Sequence, residues 1–151
     1  MDKPAHYDEL ARQLAALIDG EPDRIANAAN MAALIYQGLP DLNWAGFYFA
    51  QGRELVLGPF QGKPACVRIA WGSGVCGTAA ARAASVVVPD VNEFPGHIAC
   101  DPDSAAELVV PLIEGGRVTG VLDLDSPVRG RFDDDDRAGC ERLVAVFVRH
   151  R

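Results

Sequence analysis

No two of the four cysteines, at positions 66, 76, 100 and 140, stand in the C-x-x-C spacing of zinc ribbons and thioredoxin-like centres, which argues against both. No stretch approaches the roughly 18–20 apolar residues of a membrane span. The first ten residues, with Asp2, Lys3, Asp8 and Glu9, also lack the apolar run of a secretory signal. The expected location is the cytoplasm, away from membranes. Positive charge is scarce: 14 Lys+Arg against 21 Asp+Glu leave a formal charge of -7, which repels phosphate backbones and anionic lipid. Nucleic acid is therefore excluded as a partner. Internal repeats and low-complexity linkers are missing as well.

What is present suits one domain spanning residues 1–151. Hydrophobic residues make up 49% and charged residues 23%, and a chain of this length buries roughly 68–70% of its unfolded surface on folding. Such a core needs neither metal nor disulfide staples. In a reducing compartment the cysteines are then candidates for chemistry.

Tyr7, Leu10, Leu14, Leu17 and Ile18 recur at helical spacing, as do Ile25, Ala28, Ala29, Ala32 and Ile35 after the break at Gly20-Glu21-Pro22. Gly38 and Pro40 end the second helix. Strands are predicted over 43–50 and 54–61, and a short extended piece over 63–70. Glycines 72 and 74 and the alanine-rich run that follows indicate a loop opening a short helix. Residues 85–88 read as a buried strand, and 89–104 as a loop carrying His97 and Cys100. Loops of that length are usually functional or disordered. Two more strands, 107–113 and 117–125, are joined by Glu114-Gly115-Gly116, and an amphipathic helix opening at Asp133 closes the chain. The pattern is α+β, a sheet flanked by helices at both termini.

Cys140 falls on the apolar stripe of the last helix and reads as a small hydrophobe. Cys66, Cys76 and Cys100 sit beside glycine, proline or loop, although the Gly-Val-Cys-Gly-Thr setting of Cys76 also fits a tightly packed turn. An imidazolium at His97 would favour a Cys100 thiolate and Asp101 would oppose it; a hydrogen-bonding loop role is the simpler reading of His97. On the last strand, alternation puts Val118, Gly120, Leu122 and Leu124 on one face and Thr119, Val121, Asp123 and Asp125 on the other. Either the acidic face is solvated or it lines a polar pocket that Glu107, on the partner strand, would join. Three acids on one concave surface suit a cationic ammonium, and their repulsion would keep at least one protonated. In the first strand Trp44, Gly46 and Tyr48 share one face and Ala45, Phe47 and Phe49 the other. The Gly72-Ser73-Gly74 turn offers backbone N–H groups to a carboxylate.

Five blocks taken in order, Asn43-Trp44-Ala45-Gly46-Phe47-Tyr48, Gly62-Lys63-Pro64-Ala65-Cys66, Gly74-Val75-Cys76-Gly77-Thr78-Ala79, Phe94-Pro95-Gly96-His97-Ile98-Ala99-Cys100-Asp101 and Asp123-Leu124-Asp125-Ser126-Pro127, closely resemble the free methionine-(R)-sulfoxide reductases. These are single-domain members of the GAF fold. The resemblance implies a mostly antiparallel GAF-like sheet flanked by N- and C-terminal helices. It also implies thiol-dependent reduction of free L-methionine-(R)-sulfoxide without metal or organic cofactor. Glu107, Asp123 and Asp125 would then hold the ammonium and sulfoxide oxygen, Trp44 and Tyr48 would surround the methyl and sulfur, and Cys100 would attack. Cys66 would resolve the resulting sulfenic acid as a disulfide, with Cys76 relaying it or replacing one of the other thiols. Thioredoxin or a similar dithiol would complete the cycle, and both monomer and homodimer are compatible with the sequence. Two rival functions remain at this level, a GAF-type small-molecule sensor without catalysis and a thiol-based redox sensor.

Overall fold

The computed structural model describes residues 2–97 and 102–149. The chain begins with helices α1 (Lys3–Ile18) and α2 (Arg24–Gly38), each started by an aspartate. Asp2 accepts from the Ala5 N–H and Asp23 from the Ala26 N–H, both at 2.8 Å, satisfying amides that a helix start otherwise leaves without partners. A hairpin follows, β1 (Trp44–Gln51) and β2 (Glu54–Gly62), then β3 (Arg68–Ala70), α3 (Gly74–Arg82) and β4 (Val86–Val88). The long loop carries a 3₁₀ turn at Val91–Glu93. A second hairpin, β5 (Ala106–Glu114) and β6 (Arg117–Ser126), turns through Gly115 and Gly116, both at positive φ. Helix α4 (Asp134–Arg149) closes the chain.

The strands form one sheet in the order β3-β2-β1-β6-β5-β4, every neighbouring pair antiparallel. Helices α2 and α4 lie on one face, and α1 packs against both of them. This side buries Leu14, Met31, Ile35, Phe47, Leu122, Leu124, Leu143 and Phe147. The opposite face carries α3 and the connecting loops over a smaller cluster containing Trp44, Tyr48, Leu55, Cys76, Val109 and Val121. The antiparallel α+β architecture and its flanking helices match the sequence expectation.

Three details differ from it. Ile25 and Leu17, assigned to buried helix faces, are 57% and 48% exposed; Met31 and Asn27 take the inward positions on α2 instead. Of the extended piece expected over 63–70, only Arg68–Ala70 pairs as a strand. On β6 the register slips between Leu112 and Ile113 of the partner strand. This reverses the faces at the start of the strand: Val118 packs with the α3-side cluster, while Thr119 reaches Arg24 on α2. From Gly120 onward the expected alternation holds, with Leu122 and Leu124 toward the helices and Val121 toward α3.

Candidate active site

Strands β1, β5 and β6 lie side by side at the sheet centre, so their registers fix which side chains converge. Asp125 faces Glu107 on β5 and Trp44 on β1, and Asp123 faces Val109 and Gly46. On this face the three acids meet Trp44 and Tyr48. The first turn of α3 arrives from above with Gly74, Val75 and Cys76, and the loops contribute Lys63, His97 and Ser104. The resulting pocket encloses about 550 Å³ counting its open mouth.

The aromatic floor also fastens the loop beside it. Trp44 stacks on Tyr48 with ring centroids 6.0 Å apart. Its Nε1 donates to the carbonyl of Lys63 at 3.0 Å, and the Tyr48 hydroxyl donates to the carbonyl of Cys66 at 2.9 Å. Lys63 also pairs with Asp103 at 2.9 Å, linking residues 63–67 to the end of the long loop. Backbone bonds hold α3 in place: the Gly72 N–H donates to Gly77 O, and the Gly77 N–H to Ser73 O. A Cβ at Gly77 would sit 2.4 Å from the carbonyl oxygen of Ala70, so glycine there permits the close approach of α3 to β3.

Burial governs the electrostatics. Glu107 and Asp123 are almost wholly buried. Burial first, and the neighbouring Asp125 next, push the Glu107 carboxyl up to about 8. Burial and Glu107 likewise hold Asp123 well above the ordinary carboxylate range. Cys76 Sγ lies 4.0 Å from Glu107 Oε2; burial, with Asp123 and Glu107, keeps its thiol protonated. His97 Nε2 is 3.6 Å from Glu107 Oε1, and burial moves the imidazole below its usual value despite Asp123. Asp123 Oδ1 is buried with no hydrogen-bond partner. The arrangement can therefore accept a cation and donate a proton within the same few ångströms.

Residues 25–147 match the family model described as GAF domain. The chain is 52% identical to the Escherichia coli free methionine-R-sulfoxide reductase over 96% of its own length and 88% of that protein. It is 44% identical to the Saccharomyces cerevisiae free methionine-R-sulfoxide reductase, covering 97% and 86% respectively. The structure of free methionine-R-sulfoxide reductase from Neisseria meningitidis in complex with its substrate superposes with a TM-score of 0.96, at 43% identity over 99% of this chain and 90% of that one. The chain belongs to the free methionine-R-sulfoxide reductases of the GAF-domain family. It is accordingly an oxidoreductase, and among the described residues no helix is long and apolar enough to cross a membrane.

Of the positions singled out in this reductase sequence, Trp44, Tyr48, Cys76, Glu107, Asp123 and Asp125 line the one pocket. Cys66 is disulfide-bonded on the loop tethered to Tyr48. Cys100 lies outside the described residues. Cys140 is a free thiol in the helical core, 3.9 Å from the Tyr7 hydroxyl, which agrees with its reading as a packing residue. The sequence did not disclose that Cys76 would touch Glu107, since the contact joins α3 to β5 across 31 residues. His97 faces Glu107, although its loop setting favoured a local hydrogen bond. Lys63 was visible only as part of the Gly62–Cys66 block.

Proposed function

We propose that this chain reduces free L-methionine-(R)-sulfoxide to L-methionine, as one domain working in the cytoplasm, with a dithiol such as thioredoxin as final electron donor. The observation that carries the reading is the convergence of a proton-holding Glu107, a buried Asp123 with an open acceptor atom, and the disulfide-bonded Cys66 loop at one aromatic-floored pocket. The substrate ammonium would neutralise Asp123 and Asp125. The first turn of α3 offers amide N–H groups to its carboxylate, and Trp44 and Tyr48 surround the methyl and sulfur. Burial and the acids push the Tyr48 phenol above its ordinary value, so it stays a donor to the Cys66 carbonyl. A peptide-bound methionine sulfoxide lacks the ammonium and would leave buried acids uncompensated, which explains a preference for the free amino acid.

In the reaction Cys100 attacks the sulfoxide sulfur as thiolate, and the Glu107 carboxyl delivers a proton to the departing oxygen. The S–S bond so formed then breaks as the protonated oxygen passes from the substrate sulfur to Cys100: methionine leaves with two electrons gained, and Cys100 is left as a sulfenic acid. The Cys66 thiol then attacks Cys100, a disulfide forms and water departs. Thiol–disulfide exchange with the external dithiol restores both thiols. Cys76 either relays the disulfide or stands in for one partner.

The test is turnover of methionine-(R)-sulfoxide with dithiothreitol, together with mass-spectrometric mapping of the oxidised sulfurs. Activity is expected to vanish in Cys100→Ser, and a sulfenic acid at Cys100 to persist in Cys66→Ser. Binding without turnover by the intact protein, or equal rates on the R and S epimers, would overturn the reading. Asp123→Asn separates the enzyme from a mere redox sensor: it should slow oxidation of the protein by sub-saturating methionine sulfoxide and spare oxidation by peroxide.

A further inference from the structure

Cys76 on α3, Glu107 on β5 and Asp123 on β6 present a thiol and two carboxylates whose donor atoms all lie within 4.8 Å of one another. All three side chains are more than nine-tenths buried, at 4%, 7% and 5% exposure. Asp123 lines the pocket, and its Oδ1 is buried without a hydrogen-bond partner, leaving an acceptor open to a cation. In a four-coordinate ion of the zinc type, ligand bonds of about 2.0–2.3 Å set neighbouring donors roughly 3.3–3.7 Å apart. The 4.0 Å separation of Cys76 Sγ and Glu107 Oε2 is close to that requirement.

We propose that Cys76, Glu107 and Asp123 form a reversible site for a borderline-soft divalent cation of the zinc or cadmium class, which takes the place of the substrate ammonium while bound. The thiol selects against calcium and magnesium, which prefer all-oxygen shells. Binding releases the thiol proton and the carboxyl protons to solvent, and the divalent charge offsets the repulsion that otherwise keeps these groups neutral. The ligands come from two strands and a helix, so no short sequence spacing announces them. Displacement of the ammonium rests on the reductase reading; metal binding does not.

The full chain with its Cys66 disulfide kept oxidised isolates the site, because among the described residues Cys76 and Cys140 are the free thiols. Titration with Cd²⁺, followed by thiolate-to-metal charge-transfer absorption, is expected to give one equivalent bound. The signal should be lost in Cys76→Ser, weakened in Asp123→Asn and retained in Cys140→Ser. No signal in the oxidised wild type, survival of the signal in Cys76→Ser, or undiminished binding in Asp123→Asn each overturns the site. The Asp123 variant keeps the test decisive should Cys76→Ser fail to fold. In the double variant Cys66→Ser/Cys100→Ser, which cannot turn over, saturating methionine-(R)-sulfoxide should displace Cd²⁺. Retention there overturns the shared occupancy. A wild type that binds Cd²⁺ through Cys76 yet reduces no sulfoxide would instead sink the reductase reading and leave the metal site standing.

Discussion

Glu107 carries its proton at neutral pH because burial and Asp125 lift its carboxyl to about 8. Unfolded, the same group titrates near 4.5. Between these values the folded chain holds a proton that the unfolded chain releases, so this group's contribution to stability falls as pH rises, by an amount on the order of several kcal/mol. Glu107→Gln is therefore expected to raise the urea midpoint at pH 8 and to change it little at pH 4.5; a gain confined to the acid side would contradict the assignment. The same variant should lower kcat by about 10²–10⁴-fold as a missing proton donor, and the wild-type rate should decline above about pH 8. Asp123→Asn, which removes a charged partner for the ammonium worth about 1.5–3 kcal/mol, should raise KM roughly 10–150-fold in steady-state assays of the reductase reaction. The three acids were legible in the sequence because strand alternation places Asp123 and Asp125 on one face and the hairpin brings Glu107 alongside. Their protonation was legible only in outline, since its extent depends on how completely α3 and the loops bury them.

Helix α3 and the start of α4 show how local packing controls whole elements. At Gly77 an added methyl would meet the Ala70 carbonyl at 2.4 Å, so Gly77→Ala must push the first turn of α3 away from β3. Overpacking of this kind costs about 1–3 kcal/mol; the variant should melt at lower temperature and, because that turn lines the pocket, show a raised KM. At the other end Asp136 is 1% exposed and gathers Lys3, Arg131 and the Tyr7 hydroxyl. It also exchanges backbone caps with Asp133, a reciprocal closure of the helix start. Asp136→Ala leaves those cations and the phenol without their carboxylate, and denaturant unfolding should record a loss of about 3–5 kcal/mol. The sequence revealed this acidic first turn as a helix start, but Lys3 and Tyr7 reach it from more than 125 positions away. For the same reason the bulge that sends Val118 and Thr119 to exchanged faces was hidden: pairing irregularities belong to two strands at once, and neither strand alone encodes them.

Across the whole molecule the sheet separates two interiors with different duties. The helical side holds the larger apolar cluster and no residue of the pocket. Ile35→Ala, at a fully buried position there, is expected to cost about 2–5 kcal/mol in urea unfolding while leaving KM for the sulfoxide unchanged. A shift in KM would show that the two sides are mechanically coupled through the strands. This division was readable from alternating aromatics on β1, where Phe47 and Phe49 go to the helices and Trp44 and Tyr48 to the pocket. What escaped the reading was the fate of residues 63–66, where the side chains of Trp44 and Tyr48 grip the carbonyls of Lys63 and Cys66. That grip has a practical outcome. Because the Trp44 indole holds the main chain three residues before Cys66, opening and closing of the Cys66 bond should alter the emission of a buried fluorophore, giving the molecule an intrinsic optical gauge of its own oxidation.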